Sequence, residues 1–292
     1  MSDPHSAPDK RLRQVLDHLK SRKTSHKLSG KVCVLTGVGN KQGIGWATAI
    51  LFAQEDAKHL YLLDLKDHNF SDLINSVKAH NPNIGVATFV GNAADEELIK
   101  SICQRAIDDH GHLDVFFANA GVATYASLTD TTLETVRTSV NVNTLSCWLA
   151  LKYASSAMLK NTFNNRGGSI IFTSSVAGVR AGAGSVDYSA SKAAVRSLAY
   201  TGANAYPGSG IRVNAICPGL IQTPMTAAMF QSAKDKSKIG QLCSLRRYGI
   251  ADEVAQVVLF LAGNDSSYVN GVDIPVDGGL SSSLPVVPGK FF

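Results

Sequence analysis

Tyr188 and Lys192 are the two residues of this sequence whose types and spacing are best suited to chemistry. In a helix, side chains four residues apart lie on one face, so the ammonium would lie one turn beyond the phenol. A phenol is a weak acid, and a fixed positive charge nearby stabilises its phenolate, which lets it take or give a proton near neutral pH. The same spacing occurs in ordinary amphipathic helices, so the rest of the sequence must distinguish an acid/base pair from a surface helix.

A glycine-rich turn lies far upstream of this pair. The apolar run Lys31–Thr36 has the composition of a buried strand and Trp46–Glu55 that of a helix, and between them stands GVGNKQGIG, residues 37–45. Such a turn places backbone N–H groups and the positive end of a helix where a pyrophosphate can bind. The order strand, turn, helix therefore predicts a dinucleotide site.

Asp64 follows the next apolar strand, His59–Leu63, about where dinucleotide sites carry an acidic residue. A carboxylate there accepts hydrogen bonds from both hydroxyls of an adenosine ribose and repels an added 2′-phosphate. We therefore expect NAD as the cofactor rather than NADP. Lys41 and Lys66 are the residues that could reach a 2′-phosphate, although each also fits a solvated loop.

The elements that position these residues alternate along the chain. Further strands are predicted at Ile84–Val90, Leu113–Ala118, Ser169–Thr173, Ile211–Ile216 and Gly271–Val276, and helices at Phe70–His80, Asp95–His110, Thr132–Leu159, Tyr188–Tyr206 and Ala251–Ala262. Strands joined by helical crossovers form a parallel sheet covered on both faces. We expect an α/β fold, a doubly wound parallel sheet of about seven strands in a single domain over residues 28–280. Residues 281–292 are predicted to be an extended tail.

Charge is concentrated at the N-terminus. Residues 1–31 hold eight Lys or Arg against three Asp, whereas the remaining 20 basic and 20 acidic residues balance. Residues 1–27 are therefore a basic extension, with a short amphipathic helix at residues 9–20. Docking of this helix on its own body or on a sister subunit is the simplest interpretation, and binding to a membrane surface or nucleic acid through this extension stays open. The rest of the chain has no net charge, so it indicates no basic surface for nucleic acid.

Cysteine usage and hydropathy bear on the compartment. The five cysteines are odd in number, far apart and mostly within apolar runs, which fits reduced thiols in a core. No apolar stretch reaches the ~18 residues of a membrane span, and no secretory signal is evident. We expect a cytoplasmic protein that is not bound to a membrane.

Several short motifs occur together in an order that resembles the short-chain dehydrogenase/reductase family. They are Gly37 to Gly45, Asn119-Ala120-Gly121, Asn143, Ser174-Ser175, Tyr188 to Lys192 and Pro218-Gly219. Each motif alone is weak evidence, but the ordered set is specific. The resemblance covers roughly residues 28–280 and implies a Rossmann-type domain, with homodimers or homotetramers built through long helices.

The resemblance also implies roles for four residues. Tyr188 would be the general acid/base, and Lys192 would support its phenolate and hold the nicotinamide ribose. Ser175 would bond the substrate oxygen, with Ser174 as the less suitable neighbour. Asn143, rather than the nearby Asn141, would hold a water that links the lysine to solvent. These groups supply a proton and donors for a developing oxyanion without a metal, and the eight histidines form no ligand pattern, so we expect no metal site.

The family's cofactor contacts fall on matching positions of this sequence. They are Gly37, Asn40, Gln42, Gly43, Ile44 and Gly45 in the glycine-rich loop, then Asp64, Asn92, Ala93, Asn119, Ala120, Gly121, Tyr188, Lys192, Pro218, Gly219, Ile221 and Thr223. Two departures stand out. Five residues separate Gly37 from Gly43 where the family usually has three, and Ala118 stands where an asparagine is common. The first departure leaves the individual phosphate contacts open.

The function expected is NAD-dependent interconversion of a secondary alcohol and a ketone. The small residues of Val179–Val186 and a flap at Pro224–Phe230 suggest a roomy, largely apolar site for a small-molecule substrate. One alternative is an NADPH-dependent ketoreductase, which could act on carrier-bound acyl chains. A second, from another class, is a non-catalytic nucleotide sensor that contacts a partner through its basic N-terminus.

Overall fold

The computed structural model describes residues 6–21, 23–161, 167–227 and 243–282. Its centre is a seven-stranded sheet in the order β3-β2-β1-β4-β5-β6-β9, in which every neighbouring pair is parallel. These strands are β1 Val32–Thr36, β2 His59–Asp64, β3 Gly85–Val90, β4 Val115–Ala118, β5 Gly168–Thr173, β6 Ile211–Pro218 and β9 Asp273–Val276. A separate short parallel pair joins β7 Ile221–Gln222 to β8 Gly249–Ile250. The predicted doubly wound α/β fold is confirmed.

Helices cover both faces of the sheet. They are α1 Ser6–Ser21, α2 Ile44–Gln54, α3 Phe70–His80, α4 Glu96–His110, α5 Leu133–Ser139, α6 Ser146–Met158, α7 Val186–Gly202 and α8 Ala251–Ala262. One apolar core lies beneath α2, α3 and α8, and a second lies beneath α4, α6 and α7. Because strand side chains alternate, Cys33 and Leu35 of β1 enter the first core while Val32 and Val34 enter the second. Strands buried on both faces explain the continuous apolar runs of the sequence.

The prediction of one helix over Thr132–Leu159 is wrong in its middle. There α5 passes into a π-helical turn, Val140–Leu145, before α6 begins. A π turn carries one extra residue per turn and shifts the side chains that follow it around the helix axis. Asn143 on this turn makes long-range hydrogen bonds to Val122 and Ser191, which no local pattern reveals.

Smaller differences concern where elements begin and end. Helix α7 starts at Val186 and ends at Gly202, before Tyr206, and β6 continues to Pro218.

The amphipathic N-terminal helix is present as α1, and Leu12, Val15, Leu16 and Leu19 keep intermediate exposure. Four of the five cysteines, Cys33, Cys103, Cys147 and Cys217, are buried. Within the described part of the chain, no helix is both long and apolar enough to cross a bilayer.

Two predicted segments extend outside the described residues. Of the flap predicted at Pro224–Phe230, a 3₁₀ turn spans Pro224–Thr226, whereas residues 228–230 lie outside. Of the tail predicted at residues 281–292, only Ser281 and Ser282 are described.

His59, at the start of β2, makes the stability of the fold depend on pH. Its ring packs 4.4 Å from that of Tyr61 and 4.6 Å from that of His110, measured between centroids. Burial, aided by the neighbouring charges, lowers the pKa of His59 to about 4. In the unfolded chain a histidine titrates near ~6.5, so between these values the unfolded state binds the extra proton. Stability must therefore fall as the pH drops from 6.5 towards 4.

We expect the free energy of unfolding, measured with urea, to be about 1–2 kcal/mol lower at pH 5 than at pH 7 through this group. His59→Phe keeps an aromatic ring in place and should remove that part of the pH dependence. His18→Phe, at an exposed position of α1, is the matched control and should keep the wild-type slope. If the free energy of unfolding depends on pH equally in all three proteins, the assignment of this pH dependence to His59 is contradicted.

Candidate active site

A cleft of about 470 Å³ opens at the carboxyl edge of the sheet, a volume typical of sites for small molecules. Parallel strands bring their carboxyl ends to the same edge, so residues distant in the sequence meet there. Most of the predicted site residues line it: Gly37, Asn40, Gly43, Ile44, Asp64, Asn119, Ala120, Gly121, Ser175, Tyr188, Lys192, Pro218, Gly219, Ile221 and Thr223.

The glycine-rich loop is shaped by close backbone contacts. Gly37 has φ +70°, in the left-handed region that favours glycine. A Cβ at Gly45 would lie 2.3 Å from the carbonyl oxygen of Gly37, so no larger residue fits where the loop crosses itself. Helix α2 begins at Ile44, and Gly43 at its N-cap position has no side chain to bond the first N–H groups of the helix. Its first N–H groups are therefore available to an anion in the cleft.

This longer loop is tied to the end of β2 and to the region where α3 begins. The N–H of Gly39 donates to Oδ2 of Asp64 at 2.7 Å, and Asn69 Nδ2 donates to the carbonyl of Gly39 at 2.7 Å. Lys41 forms an ion pair with Asp72, with 2.5 Å between Nζ and Oδ2. The longer loop therefore encloses Asp64, and its lysine is engaged by α3.

Asn119 joins the ends of three strands. Its backbone N–H donates to Thr36 Oγ1 of β1 at 3.0 Å, and its side chain donates to the carbonyl of Gly37 at 3.0 Å. Its Oδ1 accepts a hydrogen bond from Thr173 of β5 at 3.1 Å. The amide thus fixes the floor of the cleft between the glycine-rich loop and the end of β5.

Lys192 is the buried charge of the cleft, with only 3% of its surface exposed. Its Nζ donates to the carbonyl of Thr173 at 2.8 Å and lies 5.8 Å from the centre of the Tyr188 ring. Among the ion pairs of the described residues none involves Lys192, so no carboxylate in these ranges is paired with its ammonium. No hydrogen bond is made to the Tyr188 hydroxyl by any residue in the described ranges.

Asn143 lies behind the cleft, fully buried on the π turn. Its Oδ1 accepts from the N–H of Val122 at 2.8 Å, and its Nδ2 donates to the carbonyl of Val122 at 3.0 Å and to Ser191 Oγ at 3.0 Å. A Cβ at Gly121 would lie 3.1 Å from Asn143 Oδ1 and 3.2 Å from Lys192 Nζ. The amide therefore fixes the loop after β4 against α7, beside the ammonium.

The two serines after β5 differ in their hydrogen bonds. Ser174 donates its hydroxyl proton to the carbonyl of Lys192 at 2.7 Å. Ser175 accepts from the N–H of Ala177 at 3.1 Å, which leaves its own O–H to donate to an oxygen in the cleft. Of the two, Ser175 is the one equipped to bond a substrate.

Some predicted residues do not line the cleft. They are Gln42, Gly45, Asn92, Ala93 and Asn143. The side chain of Asn92 accepts from the N–H of Ala94 at 2.9 Å, in the turn before α4. Gly45 and Asn143 shape the cleft from behind, as described above.

Other residues of the cleft were not predicted. Thr173 holds Lys192 through its backbone carbonyl, a role that no side-chain pattern reports. Gly39 lies against Asp64, where a Cβ would be 2.8 Å from the carboxyl carbon; the second glycine of GVG was a usable signal for it. Within the described ranges, no cluster of three or more His, Cys, Asp or Glu is placed to hold a metal ion.

Comparisons with known proteins agree on one family. Residues 37–281 match a family model described as enoyl-(acyl carrier protein) reductase. The chain is 37% identical over 254 residues to 3-oxoacyl-(acyl-carrier-protein) reductase FabG of Thermotoga maritima, covering 87% of this chain and 99% of that protein. It is 32% identical to meso-2,3-butanediol dehydrogenase of Serratia marcescens, over 88% of this chain and 97% of that protein. The crystal structure of levodione reductase superposes with a TM-score of 0.80 at 31% identity, covering 88% of this chain and 100% of that one.

The contacts of Asn143 generate a test of the site's framework. Asn143→Ala leaves the N–H and the carbonyl of Val122 without partners, so we expect the free energy of unfolding to fall by about 2–3 kcal/mol. Asn141→Ala, at an exposed position of the same π turn, is the matched control and should change it by less than about 0.5 kcal/mol. Urea unfolding of both variants measures the difference, and equal losses would refute the framework role.

Proposed function

The chain belongs to the short-chain dehydrogenase/reductase family and is an oxidoreductase acting on CH–OH groups, and on that premise we propose NAD-dependent interconversion of a secondary alcohol and a ketone. We assign the activity to residues 28–280. The observation that carries the proposal is the buried ammonium of Lys192 in the cleft, which lies 5.8 Å from the centre of the Tyr188 ring and has no ion-pair partner among the described residues.

The proposed roles follow from what each group can donate or accept. In oxidation, Tyr188 takes the proton of the substrate hydroxyl while the Ser175 hydroxyl donates to the same oxygen. Lys192 stabilises the phenolate and binds the nicotinamide ribose. Asn143 keeps the loop after β4 beside this ammonium. When bound, the nicotinamide ring supplies the hydride acceptor or donor.

The surroundings of Asp64 support NAD. One carboxylate oxygen accepts from the N–H of Gly39, and carboxylates retain further lone pairs for ribose hydroxyls. A 2′-phosphate would bring two negative charges close to this carboxylate. Of the two lysines that could offset them, Lys41 is paired with Asp72, whereas Lys66 lines the cleft.

The rim of the cleft supports an apolar substrate of small or medium size. Met225, which lines the cleft, and Tyr125, whose hydroxyl bonds the Met225 carbonyl, both stay exposed. Apolar groups grouped beside a cleft are common in ligand sites. Two of the relatives carry names of enzymes for compact diols or diketones, butanediol and levodione.

A specific observation supports one alternative function. The relative at 37% identity is named for an acyl-carrier-protein substrate, and the matching family model carries a similar description. An NADPH-dependent reduction of carrier-bound acyl chains is therefore the second candidate, and the cofactor measurement below separates the two.

Self-association is part of the proposal. Val140, Leu145 and Trp148 project from the π turn and α6 with 36–44% of their surfaces exposed, and Tyr200 of α7 is similarly exposed. Burial of these side chains against a second copy would remove apolar surface from water. We propose a homodimer or homotetramer built through these helices.

Removal of the Tyr188 hydroxyl tests the acid/base role. Tyr188→Phe should reduce turnover of secondary alcohols at least about 10³-fold, because it abolishes the proton transfer. The dissociation constant for NADH, measured by fluorescence, should stay within about twofold of the wild-type value. Tyr153→Phe, in which the hydroxyl that is lost bonds Glu96 outside the cleft, is the matched control and should keep full turnover. A Tyr188→Phe variant as active as this control would refute the role.

Cofactor preference tests the interpretation of Asp64. We expect NADH to bind at least about tenfold more tightly than NADPH, because of charge repulsion at the ribose. Asp64→Asn should narrow that ratio, whereas Asp67→Asn, in the same loop and exposed, should leave it unchanged. Tighter binding of NADPH by the wild-type protein would overturn the interpretation and favour the second candidate.

A further inference from the structure

We propose that Asp187 is a positioning residue: it fixes the start of the helix that bears Tyr188 against the loop after β4 and the end of α5, through hydrogen bonds from Thr124 and Ser139. The inference rests on the proposed function for its effect on turnover, while its structural content is tested separately. It concerns a buried cluster beside the cleft whose members do not line the cleft.

The cluster is built around one carboxylate oxygen. Asp187 is 6% exposed, and its Oδ2 accepts from Ser139 Oγ at 2.6 Å and from Thr124 Oγ1 at 2.7 Å. Ser185 stands at the N-cap position of α7, and its hydroxyl oxygen lies 2.7 Å from Thr124 Oγ1. Because Thr124 donates its own proton to the carboxylate, Ser185 must supply the proton of the bond between Ser185 and Thr124. The chain of donors therefore runs from Ser185 to Thr124 to Asp187.

The three segments joined here each carry part of the proposed machinery. Asp187 immediately precedes Tyr188 in the first turn of α7. Ser139 is the last residue of α5, four residues before Asn143 on the adjoining π turn. Thr124 lies in the loop that follows Gly121 and Val122, which Asn143 and Lys192 contact. A shift of any segment would therefore alter the distance between Tyr188 and the rest of the cleft.

A carboxylate suits this task for two physical reasons. Burial opposes its ionisation, but hydrogen bonds led by those of Ser139 and Thr124 overcome it and lower the pKa of Asp187 to about 2. The group is thus an anion throughout the neutral range, which accepts from both hydroxyls and strengthens both bonds. Its negative charge also lies in the first turn of α7, where the helix dipole favours an anion.

The same anchor extends to the mouth of the cleft. Tyr125, next to Thr124, donates its hydroxyl proton to the carbonyl of Met225 at 2.5 Å. Met225 lies in the 3₁₀ turn Pro224–Thr226, which lines the cleft. Because Tyr125 is next to Thr124, the bond from Thr124 to Asp187 also positions the hydrogen bond from Tyr125 to Met225 at the mouth of the cleft. Loss of the bond from Thr124 to Asp187 should therefore affect the KM for substrate as well as kcat.

A matched pair at position 124 tests the proposal. Thr124→Val keeps the shape of the side chain but removes its hydroxyl, whereas Thr124→Ser keeps the hydroxyl. For Thr124→Val we expect kcat to fall about tenfold and the KM for substrate to rise, since a hydrogen bond to a charged group is lost. The dissociation constant for NADH should stay within about twofold, because the glycine-rich loop and Asp64, which would hold the adenosine half of the cofactor, belong to other elements of the fold. Thr124→Ser should match the wild-type protein in all three quantities.

Hydrogen exchange tests the structural content without reference to turnover. In Thr124→Val the amides of residues 186–189 and 122–125 should exchange about tenfold faster, whereas Thr124→Ser should exchange like the wild type. Unchanged exchange in Thr124→Val would overturn the proposal, whether or not any substrate is turned over. A fall in kcat matched by an equal loss of NADH affinity would also overturn it, because that result marks general disruption. If the wild-type protein has no turnover while exchange responds as expected, the proposed function fails and the anchor stands.

Discussion

The rest of the site depends on one interaction, the burial of the Lys192 ammonium at the carboxyl edge of the sheet. A buried cation is costly unless polar groups replace its water, and here the carbonyl of Thr173 does so at 2.8 Å. That carbonyl belongs to the last residue of β5, whose side chain is held by Asn119. A Cβ at Gly121 would lie 3.1 Å from Asn143 Oδ1 and 3.2 Å from Lys192 Nζ, so a larger residue there would push against both groups. The strand end, the floor of the cleft and the π turn are thus arranged around one charge.

A second constraint comes from the parallel sheet itself. Residues far apart in the chain meet because the strands end at one edge, and each end is tied to its neighbours by side chains of the loops. The contacts are mostly bonds to backbone groups, such as those of Asn119 and Asn143. Bonds of this kind fix loops that a glycine-rich sequence would otherwise leave free. The cleft is therefore pre-formed, which lowers the cost of binding.

Local pattern predicted much of this fold, and its failures have a common cause. Helix α3 was predicted with the bounds observed, since Phe70, Leu73 and Val77 mark one buried face of it. The Tyr188 and Lys192 pair and Asp64 were identified because their spacing is local or follows a strand end. By contrast, the π turn depends on bonds from Asn143 to residues 21 and 48 positions away. The Asp187 cluster and the pairing of Lys41 with Asp72 likewise join segments that no local period connects.

The central claim is that the Lys192 ammonium, held by the end of β5, organises both the phenol and the cofactor. A crystal structure of the protein with NADH bound tests it most directly. The account predicts that the hydroxyls of the nicotinamide ribose lie within hydrogen-bond distance of Lys192 Nζ and that the Tyr188 hydroxyl faces the nicotinamide ring. A ribose held away from Lys192, or a Tyr188 hydroxyl directed out of the cleft, would contradict it.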